Sequence, residues 1–155
     1  MKLSELLAQP TVELHHGDVL QAITRSEGYV QGRQGTDSLH KGKYRYKVLG
    51  IGEPDGTTGK YASHKIVPII MNKEGTAYED DVENPIVVQE AGKVTYVTGR
   101  NHPAFKDAYN GKQYFEINVG AGDEHRVALI AFLAFVNSEF SLGVNDFQVD
   151  TPEKE

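Results

Sequence analysis

The sequence of 155 residues contains no cysteine, and no Asn-x-Ser/Thr glycosylation acceptor occurs in it. A disulfide framework and a zinc site built on thiolates are therefore excluded. The first ten residues also lack the apolar stretch and the small-residue cleavage site of a secretory signal. Together these absences predict a cytoplasmic protein.

Long hydrophobic runs and positive charge are both scarce in the chain. The longest apolar run covers the ten residues 127–136, whereas a helix needs about 20 residues to cross a bilayer. Lysine and arginine number 16 against 22 aspartates and glutamates, which gives a formal net charge of −6. That charge opposes non-specific binding to nucleic acid and repels an anionic membrane surface. We therefore expect a soluble domain whose partner is a protein or a small ligand.

The chain is predicted to fold as one domain over residues 1–155, because it contains neither an internal repeat nor a Pro/Ser-rich linker. Within residues 1–10, three leucines have the spacing of a short amphipathic helix, the alternative being a frayed arm. Asp18 either caps a second short helix or precedes a strand, and the pattern leaves both alternatives open. The acidic residues 150–155 are predicted to form a disordered tail.

Beyond Tyr29, short β-rich runs alternate with glycine, asparagine, aspartate and proline, which is typical of antiparallel strands. Residues 43–48 alternate between tyrosine or valine and a basic residue, so one face of this strand is predicted to be buried. Residues 61–71 contain an almost continuous apolar run, which predicts a strand covered on both faces; the run consists of Ile66, Val67, Ile69, Ile70 and Met71. Pro68 within this strand cannot donate a ladder hydrogen bond, and it predicts an edge position or a bulge.

Several turns are indicated by glycine. Residues 86–88 and 94–97 are predicted to form a hairpin, and Asn110-Gly111 is the strongest signal for a type I′ turn in the chain. Gly120-x-Gly122 lies between a predicted strand and a predicted helix, where backbone amides could bind a phosphate. The third glycine of that fingerprint is missing, so we interpret the pair as a tight turn.

The apolar run 127–136 predicts a helix from about Glu124 to Ser141, with Asp123 as its N-cap and Gly143 as its end. A helix that is apolar on every side must be covered on every side, and in a β-rich domain the covering element is sheet. The predicted fold is therefore mainly β: a closed or strongly curled antiparallel β-barrel that encloses one hydrophobic C-terminal α-helix.

The C-terminal third of the chain resembles a known family. The resemblance is carried by consecutive segments: Phe-Lys-Asp-Ala-Tyr at 105–109, a tight turn, Tyr-Phe-Glu-Ile-Asn-Val at 114–119, Gly-Ala-Gly-Asp-Glu at 120–124 and the apolar helix. Together these segments are similar to the C-terminal half of LURP-one-related proteins. These belong to the tubby C-terminal-like superfamily, together with tubby proteins and phospholipid scramblases. The resemblance implies a closed barrel around a hydrophobic helix, and contact with a lipid, a membrane surface or a regulatory protein.

Histidine and carboxylate residues raise the question of a metal site. His15, His16 and Asp18 could supply ligands together with His64 or His102. No helical His-x-x-x-His or Glu-x-x-His spacing supports such a site, so we interpret the first three residues as a surface loop. No cofactor is predicted. No catalytic residue is assigned either, because the chain has neither a Gly-x-Ser-x-Gly motif nor a cysteine.

Two functional hypotheses follow from these observations. The first is a non-enzymatic binding or interaction domain of tubby-like barrel type that contacts a lipid, a small ligand or a protein. Its candidate ligand-binding residues are His125, Arg126, Lys43, Arg45 and Lys47. The alternative is an OB-like β-barrel that binds single-stranded nucleic acid through Lys43, Arg45, Lys47, Tyr61 and Lys65. The strand period disfavours this alternative, because it places tyrosines and cations of residues 43–48 on opposite faces.

Overall fold

The computed structural model describes residues 1–23, 45–71, 74, 76–83, 85–97, 114–120, 122–140 and 142–151. Along these residues the chain forms α1 (Leu3–Leu7), β1 (Val19–Ala22), β2 (Arg45–Ile51), β3 (Ser63–Met71), β4 (Tyr78–Asp80), β5 (Val87–Glu90), β6 (Lys93–Val97), β7 (Tyr114–Asn118), α2 (Glu124–Phe140), a 3-10 helix (Val144–Asp146) and β8 (Phe147–Asp150). The turn predicted at Asn110-Gly111, the candidate metal ligand His102 and the candidate ligand-binding residue Lys43 lie outside the described residues.

The strands form one antiparallel sheet with the order β7-β6-β5-β3-β2-β1-β8, and β4 pairs with the end of β3 beside β5. Strands β7 and β8 are the two ends of this order, and in the described part of the chain no pairing joins them. The sheet is therefore open. The predicted closed or strongly curled barrel is wrong.

Helix α2 has nearly the predicted bounds, but the sheet covers it on one face only. Leu129, Phe132 and Phe135 are completely buried, whereas Ile130 is 51% exposed and Ala134, one turn later, is also exposed. The prediction of an enclosing barrel assumed that every apolar residue must be covered. An exposed isoleucine and an exposed alanine are common on protein surfaces, so an all-apolar run does not require complete enclosure.

The core lies between α2 and the middle of the sheet. The ring of Phe132 contacts the rings of Tyr46 on β2 and Phe147 on β8, with both centroid distances at 5.1 Å and both contacts edge-to-face. Each of these side chains is at most 1% exposed. Burial of a large apolar side chain contributes about 1.5–3 kcal/mol, so this aromatic cluster anchors the helix on the sheet.

Neither α-helix in the described ranges combines the length and the apolarity that crossing a bilayer requires.

The residues that follow Asp18 form strand β1, which decides between the two alternatives left open by the sequence. On β2, Tyr46 and Val48 are buried and Lys47 is half-buried, as the alternation predicts. The N-terminal leucines lie in the short helix α1, which covers Leu3–Leu7 of the first ten residues.

Pro68 does not lie on an edge strand, because β3 is in the interior of the sheet. It lies between Ile66, which pairs with β5, and Ile69, which pairs with β4. The proline therefore occupies the gap between two partner strands. Asp150 belongs to β8 and pairs with Val19, so the predicted disordered tail does not begin at residue 150.

Candidate ligand-binding pocket

A pocket of about 480 Å³ lies between the first turn of α2, the chain before β1 and the chain that joins β2 to β3. Four histidines line it: His15, His16, His64 and His125. The ring of Tyr61 forms part of the same wall. We call this cavity the histidine pocket. Its size is within the range of pockets that hold small organic molecules.

A tight turn before β1 positions the first two histidines. The backbone N–H of Asp18 donates to the carbonyl of His15 at 3.0 Å, and the Asp18 carboxylate accepts from the backbone N–H of His15 at 3.1 Å. Gly17 has a φ of +95°, which favours glycine, and its N–H donates to the carbonyl of Val48 at 2.7 Å. The turn is thereby fixed against β2.

His16 and Tyr61 form a flat aromatic wall. Their ring centroids are 5.1 Å apart with an interplanar angle of 27°, and the N–H of Gly50 donates to Nδ1 of His16 at 2.9 Å. A Cβ atom at Gly50 would lie 2.1 Å from Cγ of Tyr61, so only glycine leaves room for the tyrosine ring. The wall is therefore held by packing as well as by the hydrogen bond.

Gln89 on β5 orients the imidazole of His64 on β3. The Gln89 amide nitrogen donates to the carbonyl of Ala62 at 3.3 Å, which leaves its Oε1 as the atom 2.9 Å from Nδ1 of His64. Because Oε1 can only accept, Nδ1 carries the proton of the neutral imidazole. Nε2 of His64 is then an unprotonated acceptor, and it has no hydrogen-bond partner among the described residues.

His125, in the first turn of α2, has the opposite tautomer. The backbone N–H of Leu14 donates to its Nδ1 at 2.8 Å, so the proton of the neutral ring is on Nε2. The rings of His64 and His125 meet edge-to-face with centroids 5.3 Å apart. Burial lowers the pKa of both imidazoles, and repulsion by a charge on His64 lowers the pKa of His125 further. Both rings are consequently neutral at neutral pH.

Charged groups lie at the exposed border of the pocket. Lys60 forms an ion pair with Glu13 at 3.0 Å, and its hydrogen bond lowers the pKa of that carboxyl. His15 lies 3.6 Å from both Glu13 and Asp18 and is half exposed. Within the ranges that the structure describes, no three His, Asp or Glu side chains are placed to hold a metal ion.

The two helix residues proposed from the sequence have different surroundings. His125 lines the pocket. The guanidinium of Arg126 instead donates to the carbonyl of Leu7 at 2.6 Å and to the carbonyl of Gln9 at 2.8 Å. Arg126 thus ties the N-terminal segment to α2, and two of its nitrogens are already bonded to the protein.

The basic residues named for a nucleic-acid surface do not converge with Tyr61. Arg45 lies over the ring of Tyr78 at 4.6 Å, Lys47 pairs with Asp80 at 3.4 Å, and Lys65 donates to the carbonyl of Val82 at 3.3 Å. Tyr61 packs on the face of β2 to which Gly50 belongs, whereas Lys47 lies on the opposite face. The arrangement separates the aromatic ring from the cations that an OB-like binding surface would combine.

A second pocket of about 440 Å³ is lined by residues of α1 and β8 and by Asp18. Its walls include Leu6 and Val149, and Oδ1 of the buried Asp18 has no hydrogen-bond partner in the part of the chain that is described. Asp18 therefore lines the second pocket and not the histidine pocket, although its Oδ2 lies 3.6 Å from Nδ1 of His15.

Comparison with known proteins gives no relative for this chain: no family model matches it, and neither a curated protein nor a solved structure is similar to it. The resemblance to LURP-one-related proteins stays a prediction from the C-terminal third. The barrel that it implies is not the observed fold.

Proposed function

We propose that this domain binds a small neutral organic molecule in the histidine pocket. The observation that carries the proposal is the pair of opposite tautomers: Nε2 of His64 is an unprotonated acceptor, while Nε2 of His125 carries a proton that it can donate. A small number of placed polar groups is the usual means by which a binding pocket orients a ligand. A neutral ligand is favoured because both rings are neutral and Lys60 is already paired with Glu13.

The surroundings of His64 favour binding over acid–base catalysis. In a catalytic histidine, a carboxylate on the second ring nitrogen stabilises the imidazolium that forms when the ring takes up a proton. His64 has the neutral amide of Gln89 in that place, and burial disfavours the charged ring. The pocket therefore holds its proton donors and acceptors fixed, which suits recognition.

The proposal is tested by NMR with four small probes: phenol, benzamide, benzoate and benzylamine. The backbone amides of Leu14 and Gly50 are direct reporters, because they donate to His125 and His16. We expect phenol or benzamide to shift both amides, and the charged probes to shift them less. If none of the four probes shifts either amide, the proposed function is wrong.

A pair of variants shows whether the shifts arise in the pocket. Thr58 lines the pocket, whereas its neighbour Thr57 does not, and both are exposed. Thr58→Trp should fill the cavity and abolish the shifts, and Thr57→Trp should leave them unchanged. Equal shifts in both variants would place the probe elsewhere and contradict the proposal.

A further inference from the structure

The two imidazoles of the histidine pocket present different hydrogen-bonding atoms to a ligand. His64 offers an acceptor because Gln89 holds its proton on Nδ1, and His125 offers a donor because Leu14 occupies its Nδ1. Within the described ranges, the hydrogen bonds of both rings use Nδ1 and none uses Nε2. A matching ligand must therefore supply one donor and one acceptor.

The proximity of the rings restricts how these two groups are arranged. The ring centroids of His64 and His125 are 5.3 Å apart, so one compact ligand group can approach both rings. A trans amide points its N–H and C=O in opposite directions. An amide closed into a ring is cis, and it presents the N–H and the C=O side by side on one edge.

The wall beside the two rings is flat. The ring of Tyr61 stacks on His16 at 5.1 Å and meets His64 edge-to-face at 6.2 Å. Aromatic faces of this kind favour a planar, unsaturated ring that stacks on them. Gly50 leaves room for this wall, because any side chain there would displace Tyr61.

We infer that the histidine pocket takes a planar cyclic amide, a heterocycle that carries an N–H beside a C=O on one edge. The inference rests on the proposed function and adds the chemical class of the ligand. A carboxylate fits less well, because two acceptor oxygens would face the acceptor nitrogen of His64. The one lysine of the pocket border is held by Glu13 at 3.0 Å and does not offer an unpaired charge.

Three further probes test the inference: 2-pyridone, N-methyl-2-pyridone and 2-piperidone, with benzoate as the anionic comparison. The dissociation constant of each is measured at neutral pH from the shifts of the Leu14 and Gly50 amides. We expect 2-pyridone to bind at least about tenfold more tightly than N-methyl-2-pyridone and benzoate, because a site built for a donor rejects an analogue without it. The saturated ring of 2-piperidone keeps both groups but stacks poorly, so its affinity should be intermediate.

Two variants test the role of His64. His64→Phe keeps an aromatic ring but removes the acceptor, and it should weaken 2-pyridone binding by about tenfold or more. Thr57→Val removes a hydrogen-bonding group from an exposed residue outside the pocket and should leave the affinity unchanged. If His64→Phe does not fold, the comparison of the probes on the wild-type protein decides the question.

The outcomes separate this inference from the proposed function. Benzoate or N-methyl-2-pyridone binding as tightly as 2-pyridone would overturn the cyclic-amide inference and leave the histidine pocket as a binding site. Absence of any shift at Leu14 and Gly50 with every probe would overturn both.

Discussion

Gln89 fixes the tautomer of His64. The Gln89 amide nitrogen is held by the carbonyl of Ala62, so its oxygen faces Nδ1 of His64 at 2.9 Å and accepts the ring proton. The two residues lie on neighbouring strands, and the register of β3 and β5 pairs them directly. Sheet register therefore brings to His64 the amide group that fixes its tautomer.

Gln89→Glu tests this relationship. A carboxylate at the same distance stabilises the imidazolium, so the pKa of His64, now lowered by burial, should rise. The measurement is an NMR titration of the His64 ring. Gln148→Glu, on the half-exposed surface of β8, is the matched control and should not change the titration. A His64 pKa that stays the same in Gln89→Glu would show that the side chains do not interact.

The stability of the protein should fall as the solution is acidified below about pH 6.5, where unfolded histidine takes up a proton. The folded state lowers the pKa of His64 and His125, so it binds fewer protons than the unfolded state in this range. The contribution of these two histidines to the unfolding free energy is therefore fully present above the ordinary histidine pKa. It is lost as the pH falls through their lowered pKa values. At still lower pH, Glu13 and Glu124 add to the loss, because hydrogen bonds lower their pKa values in the folded state.

Urea denaturation at a series of pH values measures this dependence. The double variant His64→Gln/His125→Gln should show a flatter slope between neutral pH and about pH 5. If the wild-type protein became more stable as the pH was lowered from neutral to about 5, the assignment of two neutral, buried imidazoles would be contradicted.

Aspartate substitutions in α2 should distinguish its two faces. Phe132 is completely buried, and Phe132→Asp places an unpaired carboxylate in the core, which should unfold the protein. Ile130 is 51% exposed, so Ile130→Asp should leave the protein folded with a melting temperature near that of the wild type. Phe132→Ala, a milder change, should cost about 3–5 kcal/mol in thermal or urea denaturation. Unfolding by Ile130→Asp would indicate that this face of the helix is covered after all.

Gly50→Ala should disturb the aromatic wall of the histidine pocket. The added Cβ would lie 2.1 Å from the ring of Tyr61, so either the ring or the strand must move. We expect a lower melting temperature and altered NMR signals from His16 and Tyr61. Gly56→Ala is the control, because its Cβ meets nothing within 4 Å and its φ is not in the left-handed region. Identical behaviour of the two variants would refute the packing argument.

Local patterns in the sequence were sufficient to predict α2 to within about a residue and the buried face of β2, because both depend on neighbouring side chains. The same patterns did not predict how the elements pack. The run around Ile130 is apolar on every side, but apolarity does not say whether a surface is covered. The barrel was inferred from that run and implied by the family resemblance, and both the open strand order and the exposed face of α2 contradict it.

The histidine pocket could be predicted only in part. His125 was a candidate from its position at the start of the apolar helix, while His16 and His64 were considered only as ligands of a metal. Their proximity depends on sheet register and on the turn that fixes Gly17 against β2, and both are long-range features. The signal that could have drawn attention to His64 is its position two residues before the apolar run that fills the rest of β3.

The central claim is that the pocket presents one acceptor and one donor through two neutral imidazoles. The most direct measurement is a long-range ¹H–¹⁵N NMR spectrum of the histidine rings in the free protein at neutral pH. The structure predicts a proton on Nδ1 of His64 and a proton on Nε2 of His125, with neither ring charged. The same tautomer in both rings, or a charged imidazolium at either position, would contradict it.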